Sequence, residues 1–170
     1  MSMSPVIYLV YGPQGAGKTT YARTLADQTQ GARFSIDEWI VTLFGPDLPQ
    51  PLDFAWVMAR VERCHAQIWA LTRQLVERGT PVVLDLGFLR AEDRQRAREQ
   101  AERCGATAAF HLVDAPAELR RTRVLQRNET RGDTFSLIVT PGMFDLMESV
   151  YEAPGAAELV QARQVTFSHV

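Results

Sequence analysis

One short stretch near the N-terminus of this 170-residue chain holds the residues whose types and spacing best fit a chemical role. Residues 12–19 read GPQGAGKT and fit the pattern G-x-x-x-x-G-K-[ST], the P-loop motif. Its glycines let backbone N–H groups turn inward around a phosphate, and the N-terminus of a following helix adds partial positive charge there. The motif therefore predicts a site for a nucleoside triphosphate. The predicted nucleotide-binding residues are Gly12, Pro13, Gln14, Gly15, Ala16, Gly17, Lys18, Thr19 and Thr20.

The segments on either side of this stretch have the patterns that a P-loop requires. Residues 6–11, VIYLVY, form an apolar run typical of a buried strand, and residues 20–26 carry apolar side chains at helical spacing. Lys18 is the only lysine, since the other 17 of the 18 basic residues are arginine. A compact ammonium group suits contact with the β- and γ-phosphates. The composition thus supports a phosphate-binding role for Lys18.

Two aspartates lie at or near the ends of predicted strands farther along the chain. Residues 32–37 predict a second strand that ends in Asp37, and residues 81–86 predict a buried third strand that contains Asp85. Because ligands of parallel sheets sit at the carboxyl ends of the strands, both aspartates are expected beside the P-loop. Asp85 is then the candidate Mg²⁺ ligand together with Thr19, directly or through water, and the alternative is a turn aspartate. Asp37 is the candidate base for an acceptor hydroxyl, and the alternative is a helix N-cap.

A local excess of positive charge follows the fourth predicted strand. Arg120, Arg123 and Arg127 share one helical face by their spacing, and Arg131 follows in a polar turn. Phosphoryl transfer requires cations around the equatorial oxygens of the moving group. Residues 120–135 are therefore expected to form a small lid over the phosphates. The alternative is that these arginines lie on a helix face that is exposed to solvent. The predicted catalytic residues are Lys18, Asp37, Arg123, Arg127 and Arg131.

Composition and charge narrow the class of protein. A chain of 170 residues that is 46% hydrophobic is expected to form one domain over residues 1–170. No run of 18 apolar residues predicts a membrane span, and no charged segment of a signal peptide starts the chain, so the expected location is the cytoplasm. The two cysteines, forty residues apart, do not indicate a disulfide or metal pair. A net charge of −2 disfavours extended nucleic-acid binding.

The order of these elements resembles a known family. Strands that alternate with helices predict a parallel sheet covered on both faces. With its P-loop, acidic strand ends and arginine lid, the chain resembles the small P-loop kinases, above all the group of polynucleotide 5′-hydroxyl kinases, zeta-toxin kinases and chloramphenicol phosphotransferase. The resemblance implies an α/β three-layer fold with a five-stranded parallel sheet in the order 2-3-1-4-5, Asp37 as the base and the arginines as a lid. It rests on Gly12–Thr19, Ser35 to Asp37, Val83 to Asp85 with Arg94, Arg123 to Arg131, and Val139 to Pro141.

One position departs from the polynucleotide kinases in this group. Those enzymes carry an arginine three residues after the aspartate, where it grips a substrate phosphate. Here the position is Ile40, beside Trp39. An apolar surface suits a small or partly hydrophobic acceptor better than a DNA end, so the predicted acceptor pocket consists of Asp37, Trp39 and Ile40.

The sequence therefore predicts a phosphotransferase that uses ATP and Mg²⁺ and moves the γ-phosphate to a hydroxyl of a small molecule. One alternative is a nucleotide-binding sensor or partner-binding module that transfers no phosphate. Another, within the kinases, is activity similar to that of a polynucleotide 5′-kinase. A GTPase switch is disfavoured because its N-K-x-D motif needs a second lysine and because a D-x-x-G motif is missing.

Overall fold

The computed structural model describes residues 5–130 and 138–167, and its centre is a parallel β-sheet. Each strand is short, with four to eight residues. The strands are β1 (Val6–Tyr11), β2 (Ala32–Ser35), β3 (Val82–Asp85), β4 (Thr107–Asp114) and β5 (Arg163–Thr166).

The strand order is β2-β3-β1-β4-β5, and every neighbouring pair is parallel. This order confirms the predicted topology. In the register, Leu9 of β1 lies between Leu84 of β3 and Phe110 of β4. The carboxyl ends of all five strands consequently form one edge of the sheet, which we call the carboxyl edge.

Helices connect the strands and cover both faces of the sheet. A 3₁₀ turn, Gly45–Asp47, follows the second helix. Among the described residues, no helix is long and apolar enough to cross a lipid bilayer. The helices are α1 (Lys18–Thr29), α2 (Ile36–Phe44), α3 (Phe54–Glu77), α4 (Ala91–Arg103), α5 (Ala117–Thr130), α6 (Pro141–Val150) and α7 (Ala156–Gln161).

The core lies on the two faces of the sheet because alternate residues of each strand point to opposite sides. On one face, Leu9 and Leu84 pack with side chains of α2, α3 and α4, such as Ile68. On the other face, Val10 and Val83 pack against α1. The central strands are buried on both faces, which explains why their sequences are continuous apolar runs.

One predicted boundary was wrong by two residues, and the shift changes the position of a candidate base. The predicted second strand ran to Asp37, but β2 ends at Ser35 and α2 begins at Ile36. Ile36 and Ile40 lie one helical turn apart, and both are buried in the core. Burial of this pair favours a helix from Ile36 onward, so Asp37 lies in the first turn of α2.

Candidate active site

The P-loop joins the end of β1 to the start of α1, and its backbone depends on glycine. Gly12, Gly15 and Gly17 have φ angles of 143°, 78° and 97°. A Cβ at Gly12 would lie 1.9 Å from the carbonyl oxygen of Val113 in β4. A Cβ at Gly15 would lie 2.6 Å from that of Arg120 in α5. Glycine thus permits both the backbone conformation and the close approach to neighbouring elements.

Lys18 lies at the first position of α1, with its ammonium group enclosed by the loop. Its Nζ donates a hydrogen bond to the carbonyl oxygen of Pro13 at 2.8 Å. Burial lowers the pKa of Lys18, and the negative charges of Asp85 and Asp37 act in the opposite direction. An anionic phosphate in the loop would supply further negative charge to this ammonium group.

Thr19 and Asp85 bring two oxygen ligands together at the carboxyl edge. The Thr19 hydroxyl donates a hydrogen bond to Oδ2 of Asp85 at 2.8 Å, although the two residues are 66 positions apart. Asp85 is only 6% exposed, and burial raises its pKa, while Lys18 and the Thr19 hydrogen bond lower it. Oxygen ligands of this kind are the ones that Mg²⁺ prefers.

The described residues contain no cluster of three or more His, Cys, Asp or Glu that could hold a metal ion by protein ligands alone. A magnesium ion that keeps several waters and completes its coordination with substrate phosphates needs only one or two protein ligands. Thr19 and Asp85 supply two oxygen ligands, which suits an ion bound in this way.

Asp37 lies in the first turn of α2 and faces the same space as the P-loop. It is close enough to Lys18 to oppose the lowering of the Lys18 pKa, and it acts in the same way on Arg127. Burial is the larger effect on Arg127 and lowers its pKa. The structure thus brings Asp37, Lys18, Asp85 and Arg127 into one electrostatic neighbourhood.

These groups line a cavity of about 720 Å³ at the carboxyl edge, and the predicted site residues fall on several of its sides. The volume is within the range of pockets that bind small molecules and cofactors. Arg123 and Arg127 of α5 both line it. Predicted site residues that line the cavity are Gln14, Gly15, Gly17, Lys18, Thr19, Thr20, Asp37, Asp85, Arg123 and Arg127.

Arg120 shares a helix with these two arginines but has a different environment. It is 6% exposed and forms a bidentate ion pair with Glu148 of α6, at 2.5 and 2.7 Å. It also donates hydrogen bonds to the carbonyl oxygens of Gln14, at 3.2 Å, and Ala115, at 2.9 Å. Arg120 therefore joins the P-loop to α5 and α6. The fourth arginine of the predicted run, Arg131, lies outside the described residues.

The comparison with family models shows which kind of protein carries this site. A family model described as an AAA domain matches residues 7–154, which is most of the chain. The chain belongs to this family of P-loop kinases. No curated protein gives a significant match to the sequence.

Three solved structures are similar to this P-loop kinase in fold. A candidate kinase from Chloroflexus aurantiacus has a TM-score of 0.75 at 16% identity, over 99% of this chain and 87% of its own. Kti12 from Chaetomium thermophilum, in complex with ADP-AlF3, has a TM-score of 0.69 at 16% identity, over 95% of this chain and 89% of its own. The Mycobacterium tuberculosis APS kinase CysC, in complex with AMPPNP and APS, has a TM-score of 0.61 at 18% identity, over 89% of this chain and 84% of its own. At these identities the likeness shows the fold alone.

Two residues of the predicted acceptor pocket lie elsewhere in this P-loop kinase. Ile40 is 4% exposed and packs in the core. The ring of Trp39 packs edge-on against Phe34, with 6.0 Å between the ring centroids, and does not line the cavity. The physical reason is the early start of α2, since its apolar side turns toward the sheet and leaves Asp37 on the cavity side.

Among the described residues, seven apolar side chains line the cavity of this kinase, and four of them lie in the loop after β3, at residue 139 and in α6. We call these four the apolar wall, and sequence reasoning did not assign them to the site. The helical spacing of its two methionines was visible but is equally typical of any core-facing helix, so no sequence signal marked them. The apolar wall consists of Leu89, Val139, Met143 and Met147.

Proposed function

We propose that this P-loop kinase transfers the γ-phosphate of ATP, in the presence of Mg²⁺, to a hydroxyl group of a small molecule in the cytoplasm. The observation that carries the proposal is the position of Asp37. Its carboxylate shares a cavity with Lys18, with the pair formed by Thr19 and Asp85, and with two arginines. A module that only senses nucleotide needs no carboxylate there.

The P-loop and Lys18 provide the nucleotide half of the reaction. In this proposal the loop amides and the N-terminus of α1 bind the β- and γ-phosphates. Lys18 gives up its hydrogen bond to Pro13 and donates one to a phosphate oxygen. The negative charge of the phosphate then balances the charge of the ammonium group. Thr19 and Asp85 hold Mg²⁺, which when bound neutralises charge on the phosphates.

Asp37 and the arginines provide the transfer half. The acceptor hydroxyl oxygen forms a bond to the γ-phosphorus, its proton passes to the Asp37 carboxylate, and ADP leaves as the bridging bond breaks. Arg123 and Arg127 stabilise the charge on the equatorial oxygens of the phosphoryl group. Arg131 is proposed to join them from outside the described residues.

The variant Asp37→Asn tests this assignment because it removes the base and keeps nearly the same shape. We expect phosphate transfer to fall by about 10²–10⁴-fold. ATP affinity should stay within about twofold, since Asp37 is not a phosphate ligand in this proposal. Transfer is measured with radiolabelled ATP and a pool of hydroxylated metabolites, nucleosides, antibiotics and oligonucleotides, and binding by calorimetry.

Asp47→Asn is the matched control, since Asp47 is exposed in the 3₁₀ turn after α2 and does not line the cavity. An equal loss of ATP affinity and transfer in Asp37→Asn would show that Asp37 serves the metal or the fold. Slow ATP hydrolysis with every acceptor of the pool would favour a nucleotide sensor. Labelling of oligonucleotides alone would favour the polynucleotide kinase alternative.

A further inference from the structure

The strand order divides the cavity into two sides. β2 and β3 lie on one side of β1 and its P-loop, whereas β4 and β5 lie on the other. Asp37 follows β2, and Asp85 ends β3. Phe167 follows β5, and its ring carbons lie 3.4 and 3.5 Å from the position of a Cβ at Gly17. In the proposed function Asp37 accepts the proton of the acceptor, which places the acceptor on the side of β2 and β3 and leaves the side of Phe167 for the nucleoside.

Leu89 of the apolar wall follows β3 and so lies on the acceptor side, and hydrogen bonds join its loop to the end of α6, which carries Met143 and Met147. The backbone N–H of Glu152, just after α6, donates to the carbonyl oxygen of Leu89 at 2.9 Å. The Glu152 carboxylate accepts from the N–H of Ala91 at 2.9 Å. These bonds join the end of α6 to the loop that follows Asp85.

Val139 is held from the other direction by the side chain of Asn128 in α5. Its carbonyl oxygen accepts a hydrogen bond from the Asn128 amide at 2.7 Å, and its N–H donates to the same amide at 3.0 Å. The position of the apolar wall is therefore fixed, while the thioether side chains of Met143 and Met147 can adapt to different apolar shapes.

The charged residues that line the cavity in the described part of the chain all have roles in the proposed transfer. Lys18, Arg123 and Arg127 act on phosphate, Asp85 on the metal, and Asp37 on the acceptor hydroxyl. The apolar wall adds no charge. A charged group of an acceptor would lose its hydration against this wall and gain no counter-charge from it.

We propose that the acceptor is an uncharged alcohol that carries an aromatic or aliphatic group, and that this group packs on the apolar wall. The proposal rests on the proposed function and names the class of its substrate. The alcohol oxygen forms the bond to the γ-phosphorus and its proton passes to Asp37, while its apolar group displaces water from Leu89, Met143 and Met147.

Three alcohols test the acceptor class. 4-Methylbenzyl alcohol is apolar, 4-(hydroxymethyl)benzoate has nearly the same shape with a negative charge, and glycerol is neutral and polar. We expect kcat/KM for 4-methylbenzyl alcohol to exceed that for each of the other two by at least about 10-fold. Transfer is followed with radiolabelled ATP.

Binding experiments test the apolar wall independently of transfer. With AMPPNP present, Met147→Glu should weaken binding of 4-methylbenzyl alcohol by at least about 10-fold. Leu146→Glu, an exposed neighbour on α6 that does not line the cavity, should stay within about twofold. Met147→Arg should strengthen binding of 4-(hydroxymethyl)benzoate, a gain that misfolding cannot produce.

The outcomes separate this proposal from the proposed function. If 4-methylbenzyl alcohol binds at the apolar wall but neither it nor any alcohol of the acceptor pool receives phosphate, the wall is supported as a site for an apolar alcohol and the kinase chemistry is overturned. If phosphate passes to glycerol or to the benzoate at least as efficiently, the chemistry stands and the acceptor class is overturned. If Met147→Glu weakens AMPPNP as much as the alcohol, the wall belongs to the nucleotide side, which also overturns the acceptor class.

Discussion

The phosphate half of the cavity, formed by residues 12–20 and Asp85, is built differently from its apolar wall. The phosphate half is almost one continuous segment, and its shape comes from three glycines with positive φ. The apolar wall is assembled from the loop after β3, residue 139 and α6. Its side chains are ordinary core residue types.

This difference indicates which constraint acts on each half. The phosphate half requires particular backbone angles and close contacts, which few residue types satisfy. The apolar wall requires hydrophobic side chains of suitable size, which many residue types satisfy. We therefore expect the phosphate half to tolerate few substitutions, and the wall to accept changes that alter specificity without loss of the fold.

Two glycine substitutions give the sharpest contrast between the halves. Gly12→Ala places a methyl group 1.9 Å from the Val113 carbonyl oxygen and forces a side chain onto a φ of 143°. It should lower the free energy of unfolding by at least about 4 kcal/mol, because β1 and β4 must move apart. Gly142→Ala in α6 meets nothing within 4 Å and should raise the free energy of unfolding by up to about 1 kcal/mol.

Urea unfolding of both variants measures these changes. If Gly12→Ala retained the wild-type stability and ATP affinity, the phosphate half would be as tolerant as the apolar wall and the comparison would fail. A large loss in Gly142→Ala would instead show that α6 is as constrained as the P-loop.

The same distinction explains what the sequence could predict. The P-loop is a local pattern with a fixed meaning, and the alternation of strands and helices restricts the topology, so the sheet order was predicted and is confirmed. The cap of α3 is another local feature, since Asp53 accepts a hydrogen bond from the N–H of Trp56, three residues later, at 3.1 Å. The resemblance to P-loop kinases rested on such features, and the family model that matches residues 7–154 confirms it.

The apolar wall could not be predicted because its residues meet only through tertiary packing. The short segment from Phe34 to Ile40 has apolar residues that fit both a strand and a helix, and burial of Ile36 and Ile40 decided in favour of the helix. That decision removed Trp39 and Ile40 from the cavity. The residues of the apolar wall line the cavity instead, and they lie much later in the sequence, between positions 89 and 147.

The ion pairs between α5 and α6 show how the two halves are joined. Arg120 is buried and pairs with the partly buried Glu148, and it also donates a hydrogen bond to the carbonyl oxygen of Gln14 in the P-loop. Arg121 and Asp145 form a more exposed pair between the same helices. Arg120 therefore fixes α6, which carries Met143 and Met147 of the apolar wall, relative to the P-loop, and we expect it to act as a positioning residue.

Arg120→Gln should lower the free energy of unfolding by about 3 kcal/mol, since it leaves a partly buried carboxylate and two backbone carbonyls without their partner. The control Arg121→Gln should cost less than about 1 kcal/mol. Under conditions where Arg120→Gln is folded, its KM for the acceptor should rise more than its KM for ATP. Equal stability losses in the two variants, or an unchanged acceptor KM, would contradict the positioning role.

The proposed metal ligand of the phosphate half allows the finest test, because two aspartates end the strands on either side of β1. Asp85 ends β3 and accepts from the Thr19 hydroxyl, whereas Asp114 ends β4, is exposed, and accepts from the N–H of Ala115 at 2.8 Å. Asp85→Asn should raise the Mg²⁺ concentration for half-maximal transfer by about 10-fold or more. Asp114→Asn should leave it within about twofold.

Metal-free ATP binding separates a metal role of Asp85 from a structural one. Removal of its negative charge beside the triphosphate should leave metal-free ATP affinity unchanged or stronger, because a like-charge repulsion is lost. If Asp85→Asn weakened metal-free ATP binding as much as transfer, its bond to Thr19 would serve the shape of the P-loop instead. The phosphate half would then depend on side-chain packing, as the apolar wall does, and the contrast between the two halves would be one of degree.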